Sequence, residues 1–173
     1  MITARRHLHA HPELSNEERE TQAFISNWLS ERGLASQPIA GTGIAVDVVG
    51  EAGPSNRKLV LRADIDALPI VEASGLPFAS TRPGVMHACG YAMGLGAALT
   101  LHRARDQFGG TVRIIFQPRE EAEPLGGRRV VQEGLLDDVD AAIGIHVDPY
   151  LETGRIAVAP GAYTLASDIF VKA

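Results

Sequence analysis

Alternating β-type and helical stretches place this chain in the α/β class, with a mixed sheet flanked by helices. Three observations carry that assignment. Residues 44–49, 58–62, 111–116 and 141–145 are short runs rich in apolar and β-branched residues, the pattern of strands. Residues 17–32 and 93–107 show helical spacing. Glycine and proline punctuate the boundaries, as at Gly33, Gly109-Gly110, Pro118 and Gly134.

The elements follow in order. Ser15-Asn16-Glu17-Glu18 has the form of a capping box, with Ser15 three residues ahead of Glu18. Phe24, Ile25, Trp28 and Leu29 then form an apolar stripe, so residues 17–32 are expected to be an amphipathic helix lying on the sheet and stopped by Gly33. Ile44–Val49 and Lys58–Arg62 are strands, and the turn-forming stretch Glu51–Asn56 between them predicts a hairpin. Met93–Gln107 is an Ala- and Leu-rich helix, and strand 111–116 follows its closing glycines. Pro118 cannot donate to a sheet ladder, so that strand must stop there. A helix around Arg128–Gln132 and a buried strand Ala141–Ile145 come next, with further strands expected at 155–159 and 167–172.

At 173 residues the chain is expected to form one domain with a real core. No apolar stretch approaches the ~18 residues that span a bilayer, so no membrane partner is expected. Arg5, Arg6 and the histidines near the N-terminus lack an apolar region behind them, unlike a secretory signal. A net charge of −5 argues against nucleic acid as a partner. A single cysteine, Cys89, rules out an internal disulfide and points to a cytoplasmic setting.

Chemistry concentrates at strand ends. Phe116-Gln117-Pro118-Arg119-Glu120-Glu121 puts adjacent carboxylates just beyond a strand, where open α/β sheets hold ligands. Neighbouring carboxylates point in different directions, so one can bind a metal while the other handles a proton. Met86-His87-Ala88-Cys89-Gly90 and Gly144-Ile145-His146 add a thiol and an imidazole. Cys, His and carboxylate are the usual zinc ligands, and a catalytic zinc needs three of them. A free carboxylate nearby can move a proton from water to a leaving amine, which suits amide hydrolysis. Each residue also has a structural reading: Cys89 as a small buried hydrophobe, His146 as a hydrogen-bonded surface residue, the glutamates as a solvated loop. His7, His9 and His11 do not converge on one helix face at their spacing and are read as structural or solvent-facing. Asp64 and Asp66 flank Ile65 and point to one side of an extended segment, as ligands, as supports for ligands or as turn caps.

Five blocks, in order, match a known pattern: Arg6-His7-Leu8-His9-Ala10-His11-Pro12-Glu13-Leu14, Leu61-Arg62-Ala63-Asp64-Ile65-Asp66-Ala67-Leu68-Pro69-Ile70, Met86–Gly90, Phe116–Glu121 and Gly144–His146. The chain resembles the metal-dependent amidohydrolases of the aminoacylase and carboxypeptidase superfamily, the group of N-acyl-amino-acid amidohydrolases, hippurate hydrolases and indole-acetyl-amino-acid hydrolases. That resemblance implies a zinc-exopeptidase-like fold and Cys89, Glu121 and His146 as metal ligands. It implies Glu120 as the catalytic base, with Asp66 supporting the site. It also implies one or two divalent ions (Zn, Mn or Co) and a small N-acyl amino acid or peptide-like amide as substrate.

The sequence departs from the family pattern in three places. The family usually continues Cys-Gly with His-Asp, the histidine being a ligand, whereas this chain has Tyr91-Ala92. Fewer residues separate Cys89 from Met93 than the pattern carries, so the helix is expected to start close to the cysteine. The chain ends where the family's dimerisation domain would follow, so residues 1–173 are expected to be the N-terminal part of an incomplete catalytic domain, without the family-type dimer. Three readings stand: a metal-dependent amidohydrolase, an impaired or inactive remnant acting as a binding module, and a thiol enzyme using Cys89.

Overall fold

The computed structural model describes residues 1–88, 90–147 and 150–158, and within them a mixed five-stranded sheet carries helices on both faces. The elements are α1 (Ile2–Ala10), α2 (Arg19–Ser30), β1 (Ser36–Ile39), β2 (Gly43–Val49), β3 (Lys58–Asp64), α3 (Tyr91–Arg103), β4 (Thr111–Gln117), α4 (Gly126–Gln132) and β5 (Ala141–Gly144), with a short 3-10 turn at Arg105–Gln107. The strand order is β1-β2-β4-β3-β5. β1, β2 and β4 pair antiparallel, whereas β3 runs parallel to both β4 and β5.

Side-chain alternation sorts the core. Ile44, Val46 and Val48 of β2 and Val112, Ile114 and Phe116 of β4 face one side, where they meet Ala4, Leu8, Ile25, Trp28, Leu29, Leu95 and Ala98 of α1–α3. Ala45, Val60 and Ile115 face the other side, against Val130 of α4. β4 is apolar on both faces and takes a central position, as buried strands do. It ends at Gln117, one residue before Pro118, as expected.

Several expectations need correction. The hairpin between residues 44–49 and 58–62 does not form, because β4 lies between the two strands. Turn residues at 51–56 set the local chain reversal, but the doubly apolar β4 outcompetes β3 as partner of β2. The end of β2 is tied instead to the loop before β4, through Gly50 N–H to Gly110 O (2.8 Å) and Ala52 N–H to Phe108 O (3.0 Å). Nor does Ser15 form a capping box. The first turn of α2 is capped by the buried Glu13 carboxylate, which accepts from Thr21 N (2.7 Å) and Glu20 N (3.3 Å). The strand expected to be buried at 141–145 is exposed at all four positions of β5. Residues 155–158 form no strand, and residue 159 and the strand at 167–172 lie outside the described residues. Helix α3 begins at Tyr91, close behind Cys89, and ends at Arg103 before the 3-10 turn. Among the described residues, no helix is long and apolar enough to cross a membrane.

Helix α1 and strand β1 were not anticipated. α1 anchors the long irregular segment after β3: His9 Nε2 donates to Glu72 Oε1 (2.9 Å), and Thr81 N and Oγ1 both donate to Ala10 O. His9 is thus buried and structural, while His7 stacks on Phe24. Hydrogen bonds from His9, Ser74 and Ser80 N hold the Glu72 carboxyl down at about 2, against an ordinary value of 4.5. A depressed carboxylate stabilises the fold above its unfolded value and loses that contribution as pH falls through its folded value. Wild type should therefore lose stability relative to Glu72→Gln between pH 4.5 and 2. Urea midpoints measured across that window would test this, and parallel curves for the two proteins would refute it.

Candidate metal-type site at the strand ends

Parallel pairing brings the C-terminal ends of β3, β4 and β5 side by side, with Asp64 opposite Gln117 and Arg62 opposite Gly144. The chain moves from β3 to β4 in one direction across the sheet, then back past β3 to β5. That reversal is the switch point where α/β sheets open a crevice. Glu120, Glu121 and His146 follow β4 and β5 into this crevice, and Asp64 and Asp66 enter it from β3. Ile65 between the aspartates is fully buried in the core on the helical side.

Asp66 is the organiser of the loop. Its Oδ2 accepts from Ser15 Oγ (2.6 Å) and from Glu121 N (2.9 Å), linking the segment before α2 to the acidic pair. Glu18, fully buried, reaches the same loop: its carboxylate accepts from Arg119 N (2.9 Å) and Thr42 Oγ1 (2.6 Å). Arg119 has a positive φ of 52°, so the backbone turns sharply just ahead of Glu120. Asp64 Oδ1 accepts from Gly90 N (2.9 Å) at the start of α3.

Of the sequence-predicted residues, Asp66 contacts the backbone of Glu121, and Glu120 and His146 share Arg62 as a partner. Glu120 Oε2 accepts from Arg62 Nη2 (2.7 Å) and Gln117 Nε2 (3.2 Å). His146, on an exposed strand end, accepts from Arg62 Nη1 (3.1 Å) and places Nδ1 3.8 Å from Asp64 Oδ2. Partial desolvation, then the charges of Asp66, Asp64 and Glu120, push the Glu121 carboxyl up, and Arg62 opposes them. Cys89 lies outside the described residues.

Donor chemistry here fits a divalent cation: Asp64 Oδ2 and Asp66 Oδ1 are buried oxygens without a hydrogen-bond partner, and the charges of Asp64, Asp66 and Glu120 act together on Glu121. Among the described residues, however, no three His, Asp or Glu side chains converge closely enough to hold an ion. The Tyr91 hydroxyl donates to Arg5 O (3.0 Å), and burial pushes the phenol up.

Sequence reasoning gave no role to Arg62, Gln117 or His87. A charged residue inside a strand paired on both sides was the available signal for Arg62. His87 is buried against the Tyr91 ring, and both its nitrogens lack a hydrogen-bond partner. Burial lowers its imidazole to about 4, against the pull of Asp64. It lines a cavity of about 330 Å³ with His9, Gly90, Tyr91, Met93 and Val147.

The chain is similar to known proteins in sequence and in fold. The model of peptidase family M20/M25/M40 matches residues 60–170. An N-acetyl-L-cysteine deacetylase of Bacillus subtilis is 47% identical over 176 residues, covering 98% of this chain and 41% of that protein. An N-acyl-L-amino acid amidohydrolase of Geobacillus stearothermophilus is 42% identical over 175 residues, covering 98% of this chain and 47% of that protein. A crystal structure of a dinuclear metal-binding M20 peptidase from Bacillus subtilis superposes with a TM-score of 0.86 at 42% identity, covering 92% of this chain and 46% of that one. The chain thus spans less than half the length of these relatives.

The loop carrying the carboxylates closes onto α4 at Gly126, whose N–H donates to Arg119 O (2.9 Å). A Cβ on Gly126 would lie 1.9 Å from Pro118 O, whereas one on Gly127 would meet the Gln117 side chain at 3.4 Å. Gly126→Ala is expected to cost at least about 1–3 kcal/mol. Gly127→Ala is expected to be neutral or stabilising by up to about 1 kcal/mol. Denaturant melts of the two variants check this, and equal midpoints would contradict the close approach.

Proposed function

From the premise that this chain belongs to the peptidase family M20/M25/M40, we propose that it contributes the acid–base centre of a divalent-metal amidohydrolase acting on N-acyl amino acids or small peptide-like amides. The observation that carries this reading is the carboxylate cluster at the ends of β3 and β4, with its two buried oxygens lacking hydrogen-bond partners and His146 alongside. The names of the two curated relatives, a deacetylase of N-acetylcysteine and an N-acyl amino acid amidohydrolase, support the substrate class.

In this reading Cys89, Glu121 and His146 would hold Zn²⁺, Mn²⁺ or Co²⁺, as one ion or two. A bound divalent ion supplies Lewis-acid polarisation of the scissile carbonyl. Glu120 takes a proton from the attacking water and returns it to the nitrogen of the leaving amine, so that one carboxylate serves as base and then as acid. Asp66 positions Glu121 by accepting its backbone N–H, and Ser15 fixes the aspartate in turn. Gln117 orients Glu120 through its amide. The cavity between His87 and Val147 is adjacent to Asp64 through Gly90 and is the proposed seat of the acyl group.

The test is hydrolysis of a panel of N-acyl amino acids by the chain loaded with each metal. Glu120→Gln, which keeps the shape and removes the base, is expected to lower turnover by about 10²–10⁴-fold. Turnover unaffected by that substitution would overturn the assignment of the base. Turnover by no metal-loaded form would overturn amidohydrolase activity for this chain.

A further inference from the structure

Resting on the proposed reading of the cavity beside His87 as the seat of the acyl group, we propose that this cavity selects aromatic acyl groups bearing a hydroxyl, which His87 recognises. At about 330 Å³ the cavity lies at the small end of the range that ligand pockets occupy. Met86, Met93, Tyr91 and Val147 supply thioether, ring and isopropyl walls. Methionine sulfur packs favourably against aromatic ring edges, so these walls suit a flat ring better than a branched alkyl chain.

His87 is 2% exposed, and its ring packs against Tyr91 with centroids 4.2 Å apart. Neither ring nitrogen makes a hydrogen bond, and the Ile65 backbone favours a proton on the ring without reaching hydrogen-bond geometry. Other polar side chains of the lining are engaged: the Tyr91 hydroxyl donates to Arg5 O and His9 Nε2 donates to Glu72 Oε1. A hydroxyl both donates and accepts, so it pairs with His87 in either tautomer and either charge state. An unsubstituted benzoyl ring would bury the two nitrogens without a partner, at a cost in affinity. A carboxylate only accepts, and the charge of Asp64, which acts on His87, would repel it. Arg5 also lines the cavity and its charge reaches the Tyr91 phenol, so a carboxylated ring is the informative competitor.

Gly90 joins the cavity to the carboxylates. Its N–H donates to Asp64 Oδ1 (2.9 Å), and a Cβ there would lie 3.3 Å from Met93 Cε and 3.5 Å from Asp64 Oδ1. The glycine is thus a thin wall between cavity and aspartate. An acyl group with its ring against Met93 would present its carbonyl on the Asp64 side of that wall and its hydroxyl on the His87 side.

The test is equilibrium binding of N-acyl alanines to the 173-residue chain, read by calorimetry and by the imidazole signals of His87. The probes carry benzoyl, meta-hydroxybenzoyl, para-hydroxybenzoyl or para-carboxybenzoyl groups. One of the hydroxylated probes is expected to bind about tenfold more tightly than the benzoyl probe, or better, and to move the His87 signals. His87→Phe, which keeps a ring and removes both nitrogens, is expected to abolish that preference. Comparing the probes on wild type needs no substitution, so it decides the matter even where His87→Phe does not fold. Equal binding of the benzoyl and hydroxylated probes, tightest binding of the carboxylated one, or a preference that survives His87→Phe would overturn hydroxyl recognition and leave the cavity as the acyl seat. No binding of any probe, or binding with unmoved His87 signals, would overturn the acyl seat as well. Amidohydrolysis is judged apart from both, by turnover of the metal-loaded chain.

Discussion

Parallel pairing of β3 with β4 and β5 is the constraint from which the site follows. Parallel strands end on the same side of a sheet, so residues far apart in sequence emerge together once the register is set. Asp64 and Gln117 are paired across that register, and His146 arrives two residues beyond the end of β5. Had residues 44–49 and 58–62 formed a hairpin, one edge of β3 would be taken by β2, and β3 could not pair with both β4 and β5. The apolar character of β4 on both faces therefore decides the place of the chemistry as well as the position of the core.

Charge at these strand ends is arranged against its own preference. Carboxylates repel one another, and desolvation adds to the cost of keeping Glu121 ionised beside Asp64, Asp66 and Glu120. The fold holds them by backbone and hydroxyl donors as well as by cations: Glu121 N and Ser15 Oγ on Asp66, Gly90 N on Asp64, and Arg119 N on Glu18. Such donors are fixed by the chain itself, so the anionic groups are positioned before any ligand arrives.

Much of this was legible in the sequence, and the parts that were not have physical causes. Strands β2, β3 and β4 and helix α2 announced themselves by periodicity, and Pro118 marked the end of β4 through its missing N–H. The apolar runs of β4 and β5 place Glu120, Glu121 and His146 just beyond strand ends. Strand pairing was not legible, because turn residues report where a chain bends and not which strand lies beside it. The cap of α2 was missed because Glu13 precedes the helix by several residues and reaches it through a fold of the chain that no local pattern encodes. In the sequence Arg62 is part of a strand and a motif, and its contacts with Gln117, Glu120 and His146 exist only once three strands are assembled.

Glu18 joins pieces of chain that are remote from one another: Thr42 is 24 residues away and Arg119 is 101. Closing so long a loop costs chain entropy that only the assembled sheet can offset. Its contact with Arg119 requires β4 to be in place between β2 and β3. The loop that bears Glu120 and Glu121 therefore takes this shape only in the assembled sheet, and its integrity reports on the folding of the whole sheet.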